Sequence, residues 1–357
     1  MNPETTRTVT TEEVVLPGRV EPDGLKLVTR QLSAPGTGQT LVRVQATGIS
    51  FAEQQMRRGK YFDQPPFPFV PGYDLVGEIV AVGEGVAPAL LGRRVAALTK
   101  VGGWRSHILL DAADLVPVPD GLDAATAETL IVNGVTAWRM LHRVAETRSG
   151  QTILVHGANG GVGSTLVQLA RAAGITVVGT ASERHAEAVR ALGAHWVDYR
   201  GDIPAQVRAV APGGVDAVFD HVGGPGIVDS FRLLAPGGTL VAYGTASTKD
   251  DRGNSRLPVL KLFARLLWWN ALPNNRKAHF FNLWQGHRNI ARYRARLRED
   301  LGRVFDLAVT GRIRTRVAAR FPLSEVAEAM RLAESGTVVG KVVLEPSENT
   351  TRKGSEK

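Results

Sequence analysis

The pattern of hydrophobic and polar positions changes once along the chain. Between residues 16 and 114, short apolar stretches such as 41–48 and 75–83 are separated by Gly and Pro. This spacing is typical of a β-rich domain with many turns. From residue 151 onward, apolar β-branched segments alternate with amphipathic helical segments, which is the pattern of a parallel sheet covered on both faces. The pattern therefore predicts an α/β protein with a doubly wound sheet at about 129–250.

Length and composition agree with this division. The chain has 357 residues, which is about twice the roughly 150 residues of an average domain. Hydrophobic residues make up 43% and charged residues 22%, as in globular proteins with a sizeable core. The chain has no cysteine, which excludes disulfides, thiolate nucleophiles and zinc sites built on sulfur. No secretory signal or long apolar span is found, so we expect a cytoplasmic protein.

The net charge of +9 comes from one segment. Residues 255–298 hold ten Lys and Arg and no Asp or Glu, whereas the remaining 33 basic and 34 acidic residues nearly cancel. The segment also holds several aromatic residues, namely Phe263, Trp268, Trp269, Phe280, Phe281 and Trp284. Cations beside aromatic rings allow binding to an anionic membrane or a nucleic acid. Alternatively, the rings pack over a cleft or in a dimer interface while the arginines stay solvated.

One short segment carries the clearest chemical signal. Residues 153–163 read ILVHGANGGVG, a buried strand that turns through glycines into a helix beginning near Gly161. Without Cβ atoms the backbone can approach a pyrophosphate, and free N–H groups at the start of the helix stabilise its charge. Because further βα units follow, the segment predicts a dinucleotide-binding site rather than a simple turn.

The end of the second strand distinguishes the two nicotinamide cofactors. An NAD site places an acid there for the ribose 2′-hydroxyl, whereas a 2′-phosphate needs cations and hydroxyl groups. The chain has GTAS at 179–182 followed by Arg184, and Glu183 fits the first turn of the next helix. We therefore expect NADPH. Tyr199 ends the third strand and either approaches the same phosphate or is a half-buried strand residue.

Seven segments in order resemble the zinc-independent quinone oxidoreductases of the medium-chain dehydrogenase/reductase superfamily, including their vesicle-amine-transport-protein-like relatives, over about 13–346. These segments are GISFAEQQMRRGKY (48–61), PFPFVPGYDLVGEIVAVGEGV (66–86), NGVTAW (133–138), HGANGGVG (156–163), VDAVFDHVGG (215–224), LAPGGTLVAYG (234–244) and SGTVVGKVVLEP (335–346). The resemblance implies a GroES-like β-barrel catalytic domain over 1–128, completed by about 300–357. It also implies a Rossmann NADP(H)-binding domain over 129–299, with the basic aromatic insertion at about 250–298.

The same resemblance implies a metal-free reductase that forms a homodimer. The superfamily's metal-using alcohol dehydrogenases place Cys and His ligands where this chain has Ser50 and Tyr73, so we expect no metal. The implied reaction is hydride transfer from the nicotinamide to a small-molecule quinone or α,β-unsaturated carbonyl, with hydrogen-bond donors stabilising the developing oxygen charge. An alternative is an NADPH-binding sensor whose basic segment binds RNA or an anionic membrane.

The resemblance also assigns roles to single residues. Tyr61 matches a tyrosine of the substrate pocket, Thr136 matches a nicotinamide contact, and Ser50 replaces an asparagine near the nicotinamide; these are the catalytic candidates. Gly336 stands where some relatives place an arginine on the 2′-phosphate, with Lys341 as a weak substitute. The predicted cofactor site consists of Asn133, Thr136, Ala158, Gly160, Gly161, Val162, Gly163, Gly179, Ser182, Arg184, Tyr199, Val222 and Gly244.

Four further polar residues allow two interpretations. Glu53 either hydrogen-bonds near the active site or supports its local structure, and Asp74 is expected to be a buried structural acid. Asp220 and His221 end the fourth strand of the nucleotide-binding half, where the ligands of open α/β sheets gather. A role in stabilising the turn after that strand fits these two residues equally well.

Overall fold

The protein is described here from a computed structural model over residues 8–248 and 256–347, without the side chains of 248 and 256–258. The start of the basic insertion and the polar C-terminal tail lie outside the described residues. The strands are β1 (Val9–Val15), β2 (Lys26–Leu32), β3 (Gln39–Ile49), β4 (Asp74–Val82), β5 (Arg94–Leu98), β6 (His107–Asp111), β7 (Val116–Pro117), β8 (Thr152–His156), β9 (Thr176–Ala181), β10 (His195–Asp198), β11 (Val215–Asp220), β12 (Leu234–Ala242), β13 (Lys277–Phe280), β14 (Val317–Phe321) and β15 (Lys341–Leu344). The helices are α1 (Phe51–Arg57), α2 (Ala124–Arg139), α3 (Gly161–Ala172), α4 (Ala186–Ala191), α5 (Ile203–Val210), α6 (Ile227–Arg232), α7 (Arg256–Ala271), α8 (Ile290–Val309) and α9 (Val326–Glu334).

Six strands form the parallel sheet that the sequence predicts. Their order is β10-β9-β8-β11-β12-β13, and every neighbouring pair is parallel. β8 lies between β9 and β11, so the strand order reverses at this point. In open α/β sheets, ligands bind in the crevice outside the carboxyl ends of the strands at such a reversal. The doubly wound Rossmann fold is confirmed.

Strands β1 and β2 pair with each other in a separate sheet, and seven other strands form a mainly antiparallel sheet that combines early strands with the last two, β14 and β15. Its order is β14-β15-β3-β4-β5-β7, with β6 also paired to β3. β15 pairs antiparallel with the end of β3, where Val342 lies opposite Ile49. The chain thus returns to its first half after the parallel sheet, and the predicted GroES-like fold is confirmed. The residue limits of the two predicted domains stay predictions.

Helix α2 connects the two sheets. Its N-terminus is capped by Asp123, whose carboxylate accepts a hydrogen bond from Thr126 N at 3.1 Å. The helix is buried on almost every side, and Leu130, Ile131 and Val135 are inaccessible to solvent. Its buried polar residues include Glu128 and Arg139, which form ion pairs with Lys341 and Asp300. Among the helices of the described residues, none has the length and apolarity that crossing a membrane requires.

The basic aromatic segment packs mainly against the rest of the protein. Trp269 stacks on Phe231 of the parallel-sheet half, with ring centroids 4.2 Å apart, whereas Trp268 is 64% exposed. Arg294 on α8 pairs with Asp111 at 3.0 Å and with Asp114 at 2.7 Å.

The expectation that the arginines of this segment stay solvated is wrong for Arg294, whose side chain is only 24% exposed and is paired with two carboxylates. Arg298 lies one helical turn after Arg294 and donates to the carbonyl of Ala113 at 3.1 Å. Arg292, Arg296 and Arg298 are exposed. Arg294 and Arg298 are four residues apart, so they lie on the same face of α8. This face is turned towards the antiparallel sheet, where their partners lie.

Candidate active site

A cleft of about 1060 Å³ lies between the two halves of the protein. Its walls include the glycine turn after β8 and the residues that follow β11 and β12, which are the expected positions at the edge of a doubly wound sheet. The opposite wall comes from the antiparallel half. The predicted site residues that line the cleft are Ser50, Tyr61, Asn133, Thr136, Gly160, Gly161, Val162, Gly163 and Gly244.

The glycine turn leaves no room for side chains. A Cβ atom on Gly163 would lie 2.1 Å from the carbonyl oxygen of Gly157, and one on Gly161 would lie 2.6 Å from Asn133 Nδ2. Gly157 itself has a φ of +65°, which favours glycine. The backbone at the start of α3 therefore faces the cleft directly, with its first N–H groups unpaired inside the helix. This cradle fits the diphosphate of a dinucleotide.

Six predicted cofactor residues do not line the cleft, namely Ala158, Gly179, Ser182, Arg184, Tyr199 and Val222. Ala158 and Gly179 are buried beneath the glycine turn, and a Cβ on Gly179 would lie 2.7 Å from Ala158 Cβ. Close packing of strand against turn explains the need for small residues here better than ligand contact does. Val222 is partly exposed and does not line the cleft.

The end of β9 brings together the residues predicted for the 2′-phosphate. Tyr199 N donates to Ala181 O at 3.4 Å, which places Tyr199 beside Ser182, and its ring is 50% exposed. Arg184 donates to the carbonyl of Gly336 at 2.8 Å. Arg200, which the sequence analysis missed, has its Nε 3.3 Å from the Tyr199 hydroxyl. Its position next to Tyr199 in an otherwise polar turn was the available signal.

Lys341 is not a substitute for the missing arginine. Its ammonium group is buried and donates to both carboxylate oxygens of Asp74, at 3.0 and 2.9 Å, and to Glu128 at 2.5 Å. These two acids hold the pKa of Lys341 above its usual range, although burial opposes them. Burial beside Asp74 also raises the pKa of Glu128. Asp74 is thus a buried structural acid, as predicted.

Ser50 and Glu53 form the start of α1 at the edge of the cleft. Glu53 accepts from Ser50 N at 2.9 Å and from the Ser50 hydroxyl, and its other oxygen accepts from Tyr73 N at 2.7 Å. This arrangement is a capping box. Burial raises the pKa of Glu53. Both carboxylate oxygens of Glu53 accept hydrogen bonds from the protein itself, which favours support of the local structure over a hydrogen bond into the active site.

Asp220 and His221 stabilise the turn after β11. Asp220 accepts from Val222 N at 2.8 Å and Gly223 N at 2.9 Å, and its other oxygen accepts from the Ser230 hydroxyl. His221 packs over Gly157, where a Cβ would lie 2.4 Å from its ring. Burial lowers the pKa of His221, so its ring is neutral. His221 also lines the cleft, next to the glycine turn.

A cluster of hydroxyl and indole groups forms the opposite wall. The hydroxyls of Tyr61 and Tyr73 are 3.0 Å apart, and the Trp284 indole donates to the Tyr73 hydroxyl at 2.5 Å. Burial raises the pKa of both tyrosines, so both remain protonated at neutral pH. Sequence reasoning assigned no chemical role to Tyr73 or Trp284. Trp284 is more than 200 positions from Tyr73, and no local pattern connects them.

The residues of this cleft do not fit a zinc ion. The hydroxyls of Ser50 and Tyr73 are engaged with Glu53 and Trp284, as described above. Within residues 8–248 and 256–347, no group of three or more His, Asp or Glu side chains is arranged to hold a metal ion. A zinc site of this superfamily's type needs three protein ligands of the nitrogen, sulfur or carboxylate kind.

The two sheets and the glycine-lined cleft define a two-domain, nicotinamide-dependent oxidoreductase. Comparison with known proteins supports this class. Residues 36–120 match the family model described as alcohol dehydrogenase GroES-like domain, and residues 192–344 match the one described as zinc-binding dehydrogenase. The synaptic vesicle membrane protein VAT-1 homolog of Rattus norvegicus is 32% identical over 346 residues, covering 93% of this chain and 83% of the relative.

Solved structures agree with the sequence matches. A mycobacterial quinone oxidoreductase is 28% identical, with a TM-score of 0.78 over 94% of this chain and 100% of the other. A mycobacterial structure complexed with NADPH is 27% identical, with a TM-score of 0.79 over the same shares of the two chains. The chain belongs to the quinone oxidoreductase family of the medium-chain dehydrogenase/reductase superfamily, and the predicted family is confirmed.

Proposed function

We propose that the protein is an NADPH-dependent, zinc-independent reductase that transfers hydride to a quinone or to an α,β-unsaturated carbonyl compound. The observation that carries this proposal is the composition of the cleft. A side-chain-free glycine cradle lies on one wall, and the neutral hydroxyl of Tyr61 lies on the other. A dinucleotide bound along the first wall leaves space for an acceptor beside the second.

The cofactor-binding residues are proposed from their positions. Gly161, Val162 and Gly163 present backbone N–H groups to the diphosphate, and Gly160, whose N–H donates to Gly157 O at 2.9 Å, lines the cleft beside them. Asn133 and Thr136 line the cleft from α2. Ser182, Arg184 and Tyr199 lie at the end of β9 and β10, where a 2′-phosphate would meet a cation and hydroxyl groups. Arg200 adds a second cation at this end.

NADPH supplies a hydride from the nicotinamide C4 when it is bound. As the acceptor carbon takes the hydride, negative charge develops on the conjugated carbonyl oxygen. The Tyr61 hydroxyl can donate a hydrogen bond to that oxygen, and a preorganised donor in a site that excludes water stabilises such charge effectively. The remaining wall is largely apolar and aromatic, with Leu262, Phe281 and Leu283. It suits a flat, conjugated acceptor.

The experiment is a screen of 1,4-quinones and short enones with purified protein and NADPH, in which turnover is measured as the loss of NADPH absorbance. We expect turnover of at least one compound of either class and little activity with NADH. Protein that binds NADPH in a calorimeter but reduces none of the acceptors contradicts the proposal. The sensor alternative predicts NADPH binding without reduction of any acceptor, together with salt-sensitive binding of RNA or anionic vesicles.

A further inference from the structure

Three residues form a continuous chain of hydrogen bonds that ends in the cleft. The Trp284 indole N–H is 2.5 Å from the Tyr73 hydroxyl, and the Tyr73 hydroxyl is 3.0 Å from that of Tyr61. All three residues line the cleft, and Tyr73 is buried whereas Tyr61 and Trp284 are partly accessible. The chain therefore runs from the segment before α8, through the loop before β4, to the loop after α1.

The chemistry of the three groups fixes the direction of these bonds. An indole N–H can only donate, so the Tyr73 oxygen accepts from Trp284. If Tyr73 accepted from Tyr61 as well, its own buried O–H would have no acceptor among the described residues. Leaving a buried donor unpaired costs about 1–3 kcal/mol. Tyr73 therefore donates to Tyr61, and the hydrogen of Tyr61 is left for a ligand in the cleft.

Trp284 is held in place independently of the two tyrosines. Its ring stacks on Tyr293 of α8, with centroids 5.9 Å apart and an interplanar angle of 17°. The preceding carbonyl, that of Leu283, accepts from Arg139 at 3.1 Å and from the Tyr293 hydroxyl at 3.3 Å. Arg139 is in turn paired with the buried Asp300 at 2.6 Å. The donor at the start of the chain is thus fixed by α2 and α8.

We propose that Trp284 is a positioning residue, which acts through Tyr73 to hold the Tyr61 hydroxyl as a hydrogen-bond donor to a carbonyl oxygen in the cleft. This inference rests on the proposed function and explains how the cleft would select ligands that carry a carbonyl group. Without Trp284, the Tyr73 and Tyr61 hydroxyls can exchange donor and acceptor roles, and Tyr61 presents a hydrogen only part of the time. A chain of hydrogen bonds in one direction also strengthens its last donor.

The test compares two isosteric ligands, acetophenone and α-methylstyrene, which differ only by C=O against C=CH₂. Their dissociation constants are measured by calorimetry on the NADP⁺-loaded protein. We expect the ratio of ketone affinity to alkene affinity to be about three- to tenfold higher in the wild type than in Tyr61→Phe, as one net hydrogen bond predicts. This difference in ratio is the ketone preference that Tyr61 provides, and Tyr73→Phe and Trp284→Phe should each reduce it.

The double variant Tyr61→Phe/Trp284→Phe separates positioning from general support. If Trp284 acts through Tyr61, the second substitution changes neither the ketone preference nor kcat beyond the effect of Tyr61→Phe alone. Additive effects of the two substitutions overturn the proposal, and so does a Trp284→Phe variant that keeps the full preference. The same ketone-to-alkene affinity ratio in the wild type and in Tyr61→Phe overturns it as well.

Trp268→Phe is the matched control, because Trp268 belongs to the same segment and its side chain is 64% exposed. It should retain the wild-type ketone preference and NADPH affinity. The binding measurement does not depend on turnover. A wild-type protein that prefers the ketone but reduces no quinone or enone contradicts the proposed function and leaves the role of Trp284 supported.

Discussion

Lys341 donates to both carboxylate oxygens of Asp74, at 3.0 and 2.9 Å, although the two residues are 267 positions apart in the sequence. The same ammonium group lies 2.5 Å from Glu128 Oε1, and all three side chains are buried. The cluster joins β15, β4 and α2. It therefore connects the last strand of the chain to the first sheet and to the helix that leads into the parallel sheet.

Removing the lysine should destabilise the protein strongly. Lys341→Met leaves the Asp74 carboxylate buried without its counter-charge, and breaking a buried ion pair in this way costs about 3–5 kcal/mol. Urea denaturation at pH 7 measures the change. Glu128→Gln is the control, because the amide resembles the protonated acid and should cost less than about 1.5 kcal/mol. Equal stability of Lys341→Met and wild type contradicts the prediction.

The pH dependence of stability should reveal Glu128. Burial beside Asp74 raises its pKa in the folded protein above the ordinary value of 4.5, so the folded state binds this proton more tightly than the unfolded state. Its contribution is fully present below pH 4.5 and is lost as the pH rises through the folded pKa. Glu128→Gln has no such group to titrate and should not show this loss. Its free energy of unfolding, relative to that of the wild type, should therefore increase from acid to neutral pH. Thermal denaturation at a series of pH values tests this, and an unchanged difference speaks against it.

A side chain at Gly163 should prevent cofactor binding. In Gly163→Ala the new Cβ would lie 2.1 Å from the carbonyl oxygen of Gly157, so the turn must move away from its cradle geometry. We expect NADPH affinity, measured by fluorescence titration, to fall at least about tenfold. Gly302→Ala is the control, since its Cβ would meet open space on α8. That variant should bind NADPH normally and gain about 0.5–1 kcal/mol of stability. Normal binding by Gly163→Ala would show that the cradle does not hold the cofactor.

Arg184 and Arg200 should favour NADPH over NADH. Each guanidinium lies where the 2′-phosphate is proposed to bind, and a charge-assisted hydrogen bond to phosphate stabilises it more than a neutral one does. Arg184→Ala and Arg200→Ala should each weaken NADPH binding by about tenfold and NADH binding by less than about twofold. Arg232→Ala, an exposed arginine paired with Asp229 outside the cleft, should change neither. Parallel losses for both cofactors indicate a structural role for the arginines.

Ser50 should matter to stability through the capping box. Ser50→Ala removes the hydroxyl that caps α1 and that donates to the buried Glu53, which should cost about 1 kcal/mol. Ser50→Asn, which restores the residue of related enzymes, retains a capping group and should cost much less. Urea denaturation of the two variants makes the comparison. A larger loss in Ser50→Asn than in Ser50→Ala rejects the capping role.

The features predicted from the sequence are those with local physical causes. The strand, glycine turn and helix at 153–163 are contiguous, so their geometry follows from residues that are neighbours in the chain. The polar residues at the end of β9 are likewise adjacent in the sequence, and Tyr199 N from the neighbouring strand donates to Ala181 O beside Ser182. Ala158 and Gly179 were assigned to the cofactor, yet the structure buries them under the turn. A requirement for small residues looks the same in the sequence whether a ligand or a packed strand imposes it.

The sequence by itself determined the fold class, the glycine cradle and the family, because hydrophobic periodicity and backbone conformational freedom act over a few residues. Tertiary structure alone decided the partners of Lys341, Arg294 and Trp284. Each of these side chains meets its partner across a long stretch of sequence, as with Lys341 and Asp74. From the sequence alone, a long polar side chain could pair with a distant residue or remain in water. The packing of the two sheets around α2 decides between these two possibilities, because it determines which donors and acceptors are buried together.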